Sequence, residues 1–197
     1  MISTILRTSV VAAALPTLVF ALTIARPATA APKSFTCLQT VTISFDDSRY
    51  APKGDLPKAD GPCELALSAT PTGAYGIQFV SLTGSPKDFK KIKKLKPAQR
   101  IQLLADQLAA GGKASPVQDV EPVGLFSMGF SVFQGPSGAT TASHIASTLV
   151  GSALLFVVLD HQADRDPKAP AFDRSAARTE LLNLLAGVQL GSAKSKK

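Results

Sequence analysis

The chain of 197 residues contains no tryptophan and only two residues each of tyrosine, histidine and cysteine. Carbohydrate sites commonly use aromatic side chains that combine an apolar face with a polar edge, so this composition disfavours a carbohydrate-binding protein. The histidines, His144 and His161, are too few for a typical zinc site. The composition therefore predicts neither a metal nor a cofactor.

Two enzyme motifs built around glycine are also missing. The segment Gly124–Gly129 departs by one residue from the G-x-S-x-G elbow of α/β hydrolases, and its Ser127 falls within an alternating strand pattern. The loop that begins at Gly135 lacks the following Lys-Ser or Lys-Thr of a phosphate-binding Walker motif. These absences disfavour the corresponding hydrolase and nucleotidase classes.

The N-terminal residues have the layout of a secretory signal peptide. Arg7 precedes an apolar stretch over residues 10–24, and the small residues 28–30 form an A-x-A cleavage signal. The alternative is an uncleaved anchor, but the stretch is shorter than the ~20 residues of a membrane span and contains Pro16. We expect residues 1–30 to be removed and the protein to be exported to a periplasmic or extracellular compartment.

Length and charge limit the number of domains and the binding partners that the mature protein can have. Residues 31–190 are enough for one domain with a hydrophobic core, and residues 191–197 read as a basic disordered tail. The 21 basic and 14 acidic residues give the chain a charge of +7, and cleavage would remove Arg7 and Arg26 and leave +5. This modest excess does not by itself indicate nucleic-acid binding.

Both cysteines, Cys37 and Cys63, lie in the exported part of the chain. An even number of cysteines in an oxidising compartment favours one disulfide. Two reduced core thiols and a metal pair are the alternatives, although there is no C-x-x-C spacing and no histidine nearby. Because each cysteine begins an alternating apolar pattern, we expect them to face inward on neighbouring strands.

Hydrophobic periodicity predicts the main elements. Alternation indicates strands over residues 37–45, 63–69, 75–82 and 125–133, a long loop over 46–62 and a turn at 71–73. Apolar residues at helical spacing predict helices from Pro97 to about residue 108 and over 173–186. The segment 87–96 is compatible with either a helical turn or a loop.

The most apolar segment beyond the N-terminus is Leu149–Leu159, which ends at Asp160. Without a polar face at either period, this segment must be covered on both sides, so we interpret it as the central strand. It could also be read as a second membrane segment, but it is too short for a span and is preceded by Ser147 and Thr148. We therefore expect no transmembrane segment in the mature chain.

These elements predict an α+β fold in which a mostly antiparallel sheet is flanked by helices, as in an α/β/α sandwich. The late apolar strand, the polar loop and the closing helix that ends Leu184-Leu185-Ala186-Gly187-Val188 give an order that resembles exported sandwich proteins of the PsbP and DcrB type. The resemblance covers residues 36–190 loosely. It implies a non-enzymatic accessory or binding domain and carries over no functional residue.

A basic stretch is the strongest local charge feature, and Asp88 is the one acid within it. Its cations are Lys87, Lys90, Lys91, Lys93, Lys94, Lys96 and Arg100. Such a cluster suits phosphates, anionic lipid headgroups or an acidic partner protein, and the alternative is a solvated flank. Phe89 is the sole interleaved aromatic residue, which disfavours sequence-specific nucleic-acid recognition.

Three polar residues are candidates for chemistry. Asp160 and His161 follow the central strand, with Asp164 and Asp166 just beyond, and could ligate a metal or transfer protons, although the segment lacks the glycine and glutamate of a calcium loop. His144 follows a hydroxyl-rich loop and invites a Ser-His-Asp interpretation with Asp160 or Asp164. Solvated residues at a strand end are the alternative.

The favoured function is therefore an exported, non-catalytic accessory or binding protein whose partner is an unknown protein or an anionic surface. The alternative is a small exported hydrolase or metal-dependent enzyme that uses His144, Asp160 and His161. A pocket in which these residues meet would favour the enzyme.

Overall fold

The computed structural model describes residues 32–69, 75–134, 140–161 and 173–191. Its elements in chain order are β1 (Lys33–Cys37), β2 (Val41–Phe45), β3 (Tyr50–Pro52), β4 (Leu65–Ala69), β5 (Tyr75–Thr83), α1 (Pro86–Lys94), α2 (Pro97–Leu108), β6 (Lys113–Ala114), β7 (Gln118–Val123), β8 (Phe126–Gln134), β9 (Thr140–Val150), β10 (Ala153–His161), α3 (Arg174–Ala186) and β11 (Val188–Leu190). The expected signal peptide, the turn at 71–73, Asp164, Asp166 and the tail beyond residue 191 lie outside the described residues.

An eight-stranded antiparallel sheet forms the centre of the fold. Its strand order is β3-β4-β5-β10-β9-β8-β6, and β7 also pairs with β8. All nine residues of β10 are buried. The predicted α+β class, with a mostly antiparallel sheet between helices, is confirmed.

The side chains of β10 explain why its sequence has no polar face. Leu154, Phe156 and Val158 pack in the apolar cluster beneath α1 and α2, whereas Leu155, Val157 and Leu159 pack in the cluster that includes α3. Successive strand residues point to opposite faces of a sheet. A strand that is covered on both faces is therefore apolar along most of its length, and the two polar residues of β10, Asp160 and His161, come at its end.

The interpretation of Leu149–Leu159 as one strand is wrong. Leu149 and Val150 end β9, Gly151 adopts a left-handed φ of +56°, and β10 begins at Ala153. The apolar run spans a hairpin with a two-residue turn, and apolar residues stand on both sides of that turn, so hydropathy alone does not mark it.

Residues 37–45 are also two strands and not one. Leu38 and Gln39 have positive φ values of 48° and 60° and turn the chain between β1 and β2. Together with β11, these strands form a separate three-stranded sheet, which lies on the α3 side. The predicted long loop at 46–62 likewise contains the short strand β3, which pairs with β4.

The predicted disulfide between Cys37 and Cys63 is confirmed. Its position differs from the expected one, because Cys37 ends β1 in the small sheet and Cys63 precedes β4 of the large sheet. The bridge therefore ties two sheets together. Two backbone hydrogen bonds support the same junction, from Leu38 N to Gly61 O (2.9 Å) and from Gln39 N to Ala59 O (2.8 Å).

The helices begin where side chains or proline favour a helix start. The segment 87–96, for which the sequence allowed a helical turn or a loop, is largely helical. Ser85 caps α1 by accepting a hydrogen bond from Asp88 N. Helix α2 starts at Pro97 as predicted, and Asp173 caps α3 by accepting from Ser175 N and Ala176 N. Within the described residues, none of these helices is long and apolar enough to span a membrane.

Candidate functional site

The three polar candidates do not meet in one place. Ser143 and His144 are consecutive on β9, so they point to opposite faces of the large sheet. Asp160 pairs in register with Ser143 and shares its face, whereas His161 lies on the face of His144. A Ser-His-Asp arrangement from these residues is therefore not formed.

Asp160 belongs to a small buried polar cluster on the α1/α2 side of the sheet. The Ser143 hydroxyl donates a hydrogen bond to Asp160 Oδ1, and Gln78 Nε2 donates to Asp160 Oδ2 at 3.2 Å. Burial raises the pKa of the Asp160 carboxyl, and the hydrogen bond from Ser143 opposes this rise. This cluster satisfies a buried carboxyl at a strand end rather than presenting it to solvent.

His161 and the basic stretch lie at two further places. His161 is 8% exposed at the end of β10, and its ring centroid is 6.4 Å from that of Tyr75 on β5. The lysines of the basic stretch belong to α1 and to the start of α2, where their side chains are exposed. Arg100 is half-buried on α2.

His144 opens into a cleft of about 580 Å³ between the first turns of α3 and the strands β7, β8 and β9. We call it the α3 cleft, and its lining residues are Asp119, Val120, Glu121, Met128, Gly129, Phe130, His144, Arg174, Ser175 and Arg178. Its volume falls in the range usual for small-molecule sites. Met128 and Phe130 supply an apolar floor, and the polar side chains surround it.

Two arginines of α3 stand four residues apart and reach across the cleft to β7. Arg174 forms an ion pair with Asp119, and Arg178 donates from Nε and Nη2 to the two carboxylate oxygens of Glu121 at 2.7 and 3.0 Å. The side chain of Asp119 is 74% exposed, against 42% for Arg174. The arginines therefore lie further inside than this carboxylate at the rim.

Aromatic contacts hold the inner polar groups. The guanidinium carbon of Arg174 lies 4.0 Å from the ring centroid of Phe130, which is a cation–π arrangement. The His144 ring lies against the same phenyl ring, with 5.1 Å between centroids. Phe130 thus supports both the cation and the imidazole at the floor.

The electrostatics of the cleft keep His144 neutral near pH 7. Burial, with the nearby positive charges of Arg174 and Arg178, lowers the pKa of His144 from 6.5 to about 4, although Glu121 acts in the opposite direction. The two cations outweigh the carboxylate at the imidazole. The inner cleft therefore contains two ion-paired arginines beside a neutral imidazole ring.

The arrangement suits binding an anion more than holding a metal. Across residues 32–69, 75–134, 140–161 and 173–191, no three His, Cys, Asp or Glu side chains are grouped as metal ligands. A guanidinium has five N–H donors, and within the described part of the chain Arg174 hydrogen-bonds to Asp119 alone. Among the described residues, the other N–H groups of Arg174 have no hydrogen-bond acceptor, and their geometry suits a carboxylate or phosphate.

Sequence reasoning identified His144 in this cleft but missed its other polar members. The i,i+4 spacing of Arg174 and Arg178 is visible in the sequence and places both on one helix face. Nothing local indicates which strand that face meets, because β7 is far away in the chain. Glu121 and Asp119 become recognisable as partners of the arginines only when α3 is packed against β7.

Neither a protein-family model nor a curated protein matches this sequence. Among solved structures, cyanobacterial PsbP (CyanoP) from Synechocystis sp. PCC 6803 is similar with a TM-score of 0.52 at 9% identity, over 82% of this chain and 93% of that one. A protein from Bacteroides thetaiotaomicron VPI-5482 gives a TM-score of 0.46 at 11% identity, over 84% of this chain and 50% of that one. LpqN from Mycobacterium tuberculosis, described as involved in cell envelope biogenesis, gives 0.42 at 14% identity, over 77% and 83%.

The expected resemblance to PsbP is confirmed at the level of architecture. At 9% identity the similarity to CyanoP concerns the fold alone and assigns no residue of the α3 cleft a role. The chain has an α/β sandwich fold similar to that of CyanoP.

Proposed function

We propose that this chain is an exported, non-catalytic binding protein whose α3 cleft holds a small organic anion. The ligand has an apolar or aromatic body and one acidic group, either a carboxylate or a phosphate. The observation that carries the proposal is the convergence of Arg174, Arg178 and neutral His144 around the apolar floor of a cleft of about 580 Å³.

The shape and charge of the cleft support this ligand class. An apolar body would cover the exposed part of the half-buried Phe130 ring and release water from it. Its acidic group would compete with Asp119 for Arg174. Displacing Asp119 should cost little, because this side chain is largely solvated at the rim and its ion pair is weak. A guanidinium that is already stacked on a ring loses little freedom when it binds an anion.

Binding without catalysis is favoured by the separation of the nucleophile candidate from the base. A general base must lie within hydrogen-bond reach of the group it activates. His144 faces the cleft, whereas the hydroxyl of Ser143 faces the opposite side of the sheet. The cleft therefore offers recognition groups but no activated hydroxyl from β9.

Export is the second part of the proposal. It is supported by the signal-peptide pattern over residues 1–30 and by the disulfide between Cys37 and Cys63, which suits an oxidising compartment. Sequencing the N-terminus of the protein recovered from an exported fraction should give Ala31. Recovery of Met1 on a membrane-associated protein would indicate an uncleaved anchor.

The binding proposal is tested with a matched pair of aromatic probes. Calorimetric titration of the mature protein with naphthalene-2-carboxylate should show one site, and 2-naphthalenemethanol, which lacks the charge, should bind at least tenfold more weakly. Arg174→Met and Arg178→Met retain much of the apolar stem and should each weaken carboxylate binding about tenfold or more.

Arg49→Met is the control, because Arg49 also pairs with a carboxylate of α3 but does not line the cleft. It should leave binding unchanged. Equal affinity for the two probes, an equal loss in the control, or no binding of the carboxylate up to millimolar concentration would overturn the proposal.

A further inference from the structure

The short helix α1 has two clearly different faces. Phe89 is 5% exposed, and Ile92 packs against the apolar cluster that includes Ile101 and Leu104 of α2. This contact covers the apolar face of α1 within the protein. The opposite face has no such cover among the described residues.

Helical spacing gathers four lysines on that outer face. They follow the i, i+3, i+4, i+7 pattern, so they occupy one stripe centred opposite Phe89 and Ile92. All four are exposed, and we call them the lysine stripe: Lys87, Lys90, Lys91 and Lys94. Lys93 does not belong to it, because its Nζ lies 5.1 Å from the centroid of the Phe89 ring.

Within the described residues, the stripe forms one ion pair, between Lys91 and Asp88. Asp88 is the single acid of α1. Its Oδ2 accepts one hydrogen bond from the hydroxyl of Ser85 (2.7 Å), and its Oδ1 lies 3.6 Å from Lys91 Nζ. Such an exposed i,i+3 ion pair contributes little and is screened by salt. The stripe therefore presents an almost uncompensated row of positive charge.

We infer that the lysine stripe docks this protein on the surface of an anionic phospholipid bilayer. Lysine ammonium groups are compact, hydrated charges on flexible stems, which suits a mobile layer of headgroups rather than a fixed bidentate partner. The apolar face of α1 is already buried, so contact is electrostatic and peripheral, without insertion into the bilayer.

A bilayer is favoured over nucleic acid because single-stranded nucleic acid is commonly bound through exposed aromatic rings. Phe89 is the aromatic residue of α1, and it is buried. Docking is also independent of the α3 cleft, since α1 and α3 cover opposite faces of the large sheet. A docked protein thus keeps its cleft directed away from the bilayer.

The test is co-sedimentation of the mature protein with large unilamellar vesicles. Vesicles of equal parts phosphatidylglycerol and phosphatidylcholine should bind it at 20 mM NaCl, less at 150 mM and not at 500 mM, and pure phosphatidylcholine should not bind it. Each lysine near an anionic surface contributes about a fivefold change in affinity, so replacing all four by glutamine should weaken binding by at least about 100-fold.

A charge-matched control replaces four other exposed lysines, Lys33, Lys53, Lys58 and Lys113, with glutamine. It should bind within about threefold of wild type, and circular dichroism should show that both quadruple variants are folded. An equal loss in the two variants, or no vesicle binding at any salt concentration, would overturn the inference. Tighter and equally stripe-dependent binding to heparin or duplex DNA would replace the bilayer with a polyanion.

This experiment is separable from the proposed ligand site. Arg178→Met should bind vesicles as wild type does, even where it loses naphthalene-2-carboxylate. Conversely, the lysine-stripe variant should bind the carboxylate normally. Loss of both activities in either variant would contradict the independence of the two sites.

Discussion

The guanidinium of Arg174 lies on the ring of Phe130, with 4.0 Å between its central carbon and the ring centroid. The stack orients the cation from below and leaves the edges of the guanidinium plane for hydrogen bonds. Asp119 occupies one of those edges from the rim of the α3 cleft. The positioning of the arginine and its present ion-pair partner are therefore separate features, and they can be altered separately.

Changes at Phe130 and Asp119 should have opposite effects on the binding of naphthalene-2-carboxylate. Phe130→Leu keeps the floor apolar but removes the cation–π support, so we expect affinity to fall about three- to tenfold. Asp119→Asn removes the competing charge, and asparagine tolerates the left-handed backbone at this position, where φ is 49°. Affinity should rise several-fold. Weaker binding by Asp119→Asn would contradict the competition between Asp119 and the ligand, and calorimetric titration measures both effects.

His144 should make the protein less stable as the pH falls from about 6.5 to about 4. Its pKa is about 4 in the folded protein and near 6.5 when unfolded, so the unfolded state binds more protons in this window. The free energy of unfolding therefore rises with pH across it. Urea denaturation followed by circular dichroism at pH 7.0 and 4.5 should show that wild type loses about 2 kcal/mol more than His144→Gln.

Asp160 acts in the opposite sense but does not obscure this comparison. Its pKa is raised by burial, so the folded state holds the proton more tightly and Asp160 favours folding at the acid end. The carboxyl is present in both wild type and His144→Gln, and its contribution cancels in their difference. An identical pH dependence in the two proteins would show that His144 is not held neutral.

Alternation along the sequence predicted the strands β2, β4, β5 and β8, but it concealed the turns between neighbouring strands. Cys37 pairs with Val41 across the hairpin, so the two residues face the same side and are separated by an even number of positions. The inward and outward pattern thus continues in phase through the turn. Positive φ at Leu38 and Gln39 has no glycine to signal it.

The candidate site was only partly predictable for a related reason. His144 stood out because histidine is rare in this chain. Whether it shares a face with Ser143 depends on secondary structure, because consecutive residues of a strand such as β9 point to opposite faces. The arginines of α3 meet β7 through packing that joins residues more than 50 positions apart. Such pairing depends on the assembled sheet and leaves no local pattern.

The disulfide should contribute about 3 kcal/mol to stability. It closes a loop with a sequence separation of 26 and joins the two sheets, and such a closure removes conformational entropy from the unfolded chain. Both cysteines are fully buried among apolar residues, so alanine is the appropriate replacement. Urea denaturation of Cys37→Ala/Cys63→Ala should show this loss, and reduction of wild type with dithiothreitol should produce a similar one. Unchanged stability on reduction would contradict the prediction.

Gly187 joins α3 to β11, and we expect its replacement by alanine to destabilise the protein by about 3 kcal/mol. A Cβ atom there would lie 2.0 Å from the carbonyl oxygen of Ser44, which is part of the β2 backbone and cannot move without breaking the hydrogen bond from Ser44 N to Gly187 O (2.8 Å). Because φ is −84°, the cost comes from this contact and not from backbone strain. Gly84→Ala is the matched control, since its nearest neighbour would be Asp88 Cβ at an ordinary 3.7 Å, and it should be neutral or slightly stabilising. Similar unfolding midpoints for the two variants would show that α3 can shift away from β2, and the small sheet would then be less tightly anchored than the hydrogen bonds imply.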